Sequence, residues 1–117
     1  MYGVEYEFPV KTSAQDDNVP CGVCHVSTRG AVMMIPAKLT CPTSWTKEYS
    51  GYLMSSAKGS ERKSATFECV DFSFEGIAGL EASSVPAFMY PIEAVCNGLS
   101  CPPYDSEKEL TCVVCTK

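Results

Sequence analysis

The chain is poor in the residues that carry acid–base and nucleophilic chemistry. It has one His and one Trp among 117 residues. It contains no G-x-S-x-G, H-E-x-x-H or phosphate-loop pattern, so binding is a better expectation than catalysis. Positive charge is also scarce. Nine Lys and Arg face 14 Asp and Glu, for a net charge of −5. Such a balance argues against a nucleic-acid partner, which needs a basic face. No apolar run approaches the ~20 residues of a membrane span, so no membrane insertion is expected. Met1-Tyr2-Gly3 is not followed by the basic region and apolar core of a signal peptide. If the protein is secreted, the chain reads as a mature fragment with a start Met, or as a domain of a longer chain. No internal repeat, low-complexity tract, Gly-X-Y run or convincing amphipathic helix is present.

Cysteine, glycine and proline are abundant instead, at eight residues each. In a reducing cytosol so many cysteines would have to be metal ligands or catalytic thiols. In an oxidising compartment they form a disulfide framework, which the even count and wide scatter favour. Cys21, Cys24, Cys41, Cys69, Cys96, Cys101, Cys112 and Cys115 are therefore all expected in disulfides, with the pairing left open. Short apolar runs between Gly and Pro predict one all-β domain over residues 1–117. The expected form is a disulfide-stapled sandwich or barrel with long acidic loops and an extracellular location.

The organising stretch is Cys96 to Cys115, which combines four cysteines, Pro102-Pro103, the acidic run Asp105 to Glu109 and a terminal strand. Upstream, alternation at Tyr2, Val4, Tyr6 and Phe8 predicts a short strand ended by Pro9. Two strands around the turn Thr28-Arg29-Gly30 predict a hairpin, the second running from Ala31 to Ile35. Trp45 to Met54 predicts a bulged strand around Gly51. Ser55 to Ser64 reads as a polar loop and Ala65 to Phe72 as a strand. The stretch from Ser73 to Ser84 reads as a long acidic loop that includes Glu75 and Glu81. Val85 to Val95, with its two prolines, is expected at a sheet edge, and Glu109 to Thr116 closes the fold.

Cys21-Gly22-Val23-Cys24-His25 matches the c-type haem attachment pattern. Haem pockets of that kind are usually helical, and six further cysteines would be left over. Two C-x-x-C pairs can also build a zinc site, yet here most of the chain separates them. A thioredoxin-like role needs a βαβ context that the sequence lacks. Calcium fits the acidic loops better, because hard cations take several oxygen ligands from one converging loop. Asp105, Glu107 and Glu109 alternate and so share one side of an extended segment. Asp71 and Glu75 lie in the other acidic stretch. Neither stretch is an EF-hand loop. Among the aromatics, Tyr104 beside Pro102-Pro103, and then Trp45, are candidates to stack on the apolar face of a sugar ring. The remaining rings are expected in the core or half-buried on strands.

The segments VPCGVC (19–24), WTKEYSGYLM (45–54), FECVD (67–71), YPIE (90–93) and CPPYDSEKELTCVVCTK (101–117) resemble one invertebrate extracellular family. These are the cysteine-rich domains of short-chain collagen C4-like, or spongin-like, proteins of sponges, cnidarians and molluscs. The family is similar in turn to a galactose-specific cnidarian lectin. The resemblance spans nearly the whole chain after Val19. It implies a secreted lectin that binds galactose-containing glycans through Ca2+ coordinated by the sugar hydroxyls and that works as a homodimer. Arg29 or a carboxylate such as Glu93 would hydrogen-bond the same hydroxyls. The stretch 73–84 departs from the more His-, Pro- and Gly-rich version associated with the family. An extracellular-matrix assembly domain without a sugar site is the rival expectation.

Overall fold

The longest run of strand-forming residues, TKEYSGYLMSS, becomes the strand on which the sheet is built. A computed structural model describes residues 4–8, 17–56, 66–77 and 87–117. It contains six strands: β1 (Val4–Tyr6), β2 (Val32–Pro36), β3 (Thr46–Ser56), β4 (Phe67–Asp71), β5 (Ala87–Pro91) and β6 (Thr111–Thr116). The fold is all-β, as expected, and no helix occurs among the described residues. The described residues form a single sheet, however, and not a sandwich or a closed barrel.

β3 uses both of its edges. Even-numbered residues bond β4, as Phe72 N–H to the Ser50 carbonyl shows, while Leu53 bonds toward β5 and β6. β6 lies along β3 as far as Tyr52, and β5 takes over from Met54 on the same edge. The two are collinear halves of one line, interrupted at Leu53. β1 pairs with β5 in parallel and β2 with β6 antiparallel, forming the next line outward. β5 is thus an interior strand, contrary to the edge expected from its prolines. Pro91 stands at its last position, where a missing N–H leaves the ladder intact.

Pairing parity assigns the faces. Tyr52, Met54, Val70, Met89 and Tyr6 share one face and form the core, with Tyr6 and Met54 fully buried. Loop aromatics cover this face in place of a second sheet. The Phe8 ring stacks on Phe74 at 5.0 Å, and Tyr6 meets Phe74 at 5.2 Å between centroids. Rings in such contacts add about 0.5–1.5 kcal/mol beyond their burial.

Three disulfides close the framework: Cys41–Cys115, Cys69–Cys112 and Cys96–Cys101. In β6 the C-x-x-C spacing places Cys112 and Cys115 on opposite faces of the sheet, so each face receives one bridge to a distant part of the chain. Cys69–Cys112 joins strands that flank β3 on either side, with Cα atoms 5.8 Å apart. The sheet must curl sharply over β3 for that to happen. Gly51, paired with both Asp71 and Cys112, is where it does so. A Cβ there would lie 1.6 Å from the Val70 carbonyl oxygen. Three disulfides in so small a domain are compatible with an extracellular protein.

Other expectations are corrected. The bulge in β3 falls between Lys47 and Tyr49, not at Gly51. Cys21 to Val26 forms no strand, so the expected hairpin is absent, and β2 spends its backbone bonds on β6 instead. Val113 and Val114 of β6 offer β2 an apolar ladder that the solvated Cys21–Cys24 segment does not. Cys21 and Cys24 are free, exposed thiols and not half of any disulfide. Ser55 and Ser56, expected to open a polar loop, instead complete β3, with Ser55 buried. The rest of that loop, and the part of the acidic loop that holds Glu81, lie outside the described residues.

Candidate functional site

At the junction between β5 and β6, three residues close a ring of backbone bonds. Ile92 N–H donates to the Leu53 carbonyl (2.8 Å), Leu53 N–H to Leu110 (2.8 Å), and Leu110 N–H to Ile92 (2.7 Å). From this ring the chain leaves the sheet at Glu93 and returns at Glu109, two residues that pair across the base of the excursion. Ala94 N–H to Lys108 O and Glu107 N–H to Ala94 O, at 2.9 and 3.0 Å, zip the stem. Cys96–Cys101 fastens the tip, and Tyr104 N–H reaches back to the Ser100 carbonyl at 3.4 Å. Glu107 adopts φ of 64°, in the left-handed region where non-glycine residues are uncommon. The acidic loop is therefore carried on a rigid stem.

Beneath it lies an open cleft of about 410 Å³, floored by Ala37, Lys38 and Thr111 and walled by Tyr104, Asp105, Lys108 and Glu109. Tyr104 is half-buried, which leaves part of its ring accessible. Asp105 and Lys108 form an exposed ion pair at 2.6 Å. The Asp105 carboxylate holds the Lys108 ammonium above its usual pKa, first by hydrogen bonding and then by charge. The cleft thus offers an aromatic surface, two carboxylate acceptors and, in Lys38 and Lys108, two ammonium donors. Those are the groups that can satisfy a ring of hydroxyls.

The other sequence candidates lie elsewhere. Glu93 stays at the stem and lines a separate cavity of about 140 Å³ with Glu7, Phe8, Tyr90 and Pro91. Glu107 is exposed and does not line the cleft. Asp71 ends β4 and accepts the Ser73 N–H at 2.8 Å, the work of a turn-capping side chain. Glu75 is exposed on the loop that follows. Trp45 stands just before the far end of β3, eight residues from Leu53, which is roughly 25 Å of strand, and Arg29 lies toward that same end. Arg29 is occupied there by an ion pair to Glu48 at 2.7 Å. The sequence could not anticipate this split, because it depends on how β3 runs between the two groups.

The carboxylates do not fit a calcium site as they stand. Among the described residues no three His, Cys, Asp or Glu side chains converge, and Asp105 is already paired with Lys108. A hard cation needs several oxygens at one point.

Sequence reasoning missed a second constellation, around the β3 bulge. The extra residue there, Glu48, receives the Thr116 hydroxyl and the Arg29 guanidinium on one carboxylate oxygen. The hydroxyl bond holds the Glu48 carboxyl below its usual range against the opposing effect of burial, and Arg29 adds to the lowering. Nearby, the Tyr49 hydroxyl donates to the Cys69 carbonyl at 2.9 Å. Burial pushes the Tyr49 phenol up, and the charges of Asp71 and Glu68 add to that. The only sequence signal for this cluster is a charged Glu48 inside a strand-forming run. No protein-family model, curated protein or solved structure matches this chain.

Proposed function

We propose that the protein is an extracellular carbohydrate-binding module that takes a terminal galactose-type sugar into the cleft under the Cys96–Cys101 loop. The observation that supports this reading is the union of Tyr104, Asp105, Lys108 and Glu109 in one open cleft of about 410 Å³. The sugar's apolar face lies on the Tyr104 ring. Its hydroxyls donate to Asp105 and Glu109 and accept from Lys108. Because the carboxylates do not gather around one point, the reading assigns the contacts to protein groups directly and routes nothing through calcium. A single shallow site of this kind binds weakly, so useful retention comes from two or more sites acting together.

The test is retention on immobilised galactose, with and without EDTA. Retention that survives EDTA is the expected result. Tyr104→Ala should lower affinity about tenfold, the equivalent of one ring contact of roughly 1.4 kcal/mol. Retention abolished by EDTA would keep the lectin and overturn its metal-free form. Failure to bind galactose or any sugar on a broad glycan panel would favour a matrix-assembly domain. The exposed apolar side chains Val32 and Phe67 on the outer strands speak for that alternative.

A further inference from the structure

All eight cysteines of the chain lie within the described residues, and six are consumed by the three disulfides. Cys21 and Cys24 remain, both exposed. Within these 117 residues, the one bond still open to either is a bond to the other.

The backbone does not allow that bond as it lies. From Pro20 to Val26 the chain runs without a turn or bend. Three residues of such backbone span roughly 9–10 Å between Cα atoms, beyond the ~7 Å limit for a disulfide. The odd spacing also turns the two side chains to opposite sides of an extended segment. The segment is tied at both ends, which resists the bending that would bring them together. Val19 N–H bonds the Val4 carbonyl at 2.9 Å, Arg29 grips Glu48 at 2.7 Å, and Ala31 pairs with Lys117 at 3.0 Å. Between the thiols, Val23 is fully exposed, and a side chain at Gly22 would meet nothing within 4 Å. The approach to both sulfurs is open.

We propose that Cys21 and Cys24 are a surface dithiol that forms its disulfides with thiols outside the chain and not with each other. In the first step one thiolate attacks a low-molecular-weight disulfide such as oxidised glutathione. The glutathione S–S bond breaks, one half stays on the cysteine, and the other leaves as a thiolate that takes up the proton. A thiol on a second copy of the chain can then attack the protein sulfur of that mixed disulfide. It releases the second glutathione and leaves an interchain bond. Both products share one chemistry, a disulfide to an external thiol.

The experiment incubates the purified, folded protein with oxidised glutathione and reads intact mass and cysteine-linked peptides without reduction. The expected result is glutathione on Cys21 and Cys24, or reducible pairs of chains joined through them. Persistent adducts identify the small thiol as the terminal partner, and paired chains identify a second copy. Cys21→Ser and Cys24→Ser should each lose half of the modification. The double variant should lose all of it while keeping the other three disulfides and an unchanged melting temperature. A monomer carrying a Cys21–Cys24 bridge would overturn the proposal. So would two thiols left unmodified under conditions that fully modify an exposed cysteine peptide. This outcome is independent of sugar binding, since neither cysteine lines the cleft.

Discussion

Glu48 shows how much one side chain at a bulge can hold. It fastens the end of β6 through Thr116 and the Cys21–Ala31 segment through Arg29. Because its carboxyl is held below the usual range in the folded protein, its contribution is complete above the unfolded value of about 4.3. It is lost as pH falls through the lower folded value. Glu48→Gln should therefore melt below the native protein at neutral pH, and the gap should close on acidification below about pH 4. A gap that stays constant into strong acid would show that the carboxylate's charge contributes nothing. Gly51 is the opposite case, a position that works by having no side chain. Gly51→Ala places a Cβ against the Val70 carbonyl and should cost about 3 kcal/mol or more. In hydrogen exchange, the β4 amides should lose protection before those of β6.

At the scale of elements, the three disulfides differ in what they constrain. Cys41–Cys115 and Cys69–Cys112 span 74 and 43 residues. Each should contribute about 4 kcal/mol by restricting the unfolded chain, whereas the five-residue Cys96–Cys101 link should contribute about 2. Paired Cys→Ser variants followed by denaturant unfolding should reproduce that order. Equal losses would mean that local strain or packing sets the effect. Much at this scale was legible in the sequence. Alternation and strand-forming residues marked β3, β4 and β6, and Pro102-Pro103 beside an acidic run marked the loop above the cleft. Partner choice was not legible. The Ala31–Ile35 run has the same pattern whether it pairs with the Cys21 segment or with β6, and only tertiary competition decides. Trp45 and Tyr104 fail to meet for a similar reason, since no local signal reports that β3 runs between them.

For the molecule as a whole, calcium offers a test that needs no sugar. A ligand bound only by the folded state raises stability by about 2.7 kcal/mol at a hundredfold excess over its dissociation constant. With no convergent carboxylates among the described residues, millimolar calcium should leave the melting temperature unchanged. A rise of several degrees that Asp105→Asn abolishes would mean that the Asp105–Lys108 pair opens to admit the ion. Such a result would restore the calcium-dependent form of the sugar site.

The ring of bonds through Leu53, Ile92 and Leu110 separates the loop above the cleft from the sheet below it. Since Glu93 and Glu109 stand side by side, the sheet registers only that the chain departs and returns at one place. Beyond the stem residues Ala94, Glu107 and Lys108, the length and content of what lies between are free to vary. With buried Ala94 and its bonds to Glu107 and Lys108 kept as a fixed socket, residues 95–106 can thus be treated as an exchangeable cartridge. A short hairpin turn in their place should leave β5 and β6 aligned along β3, and a foreign loop should inherit the same rigid mount.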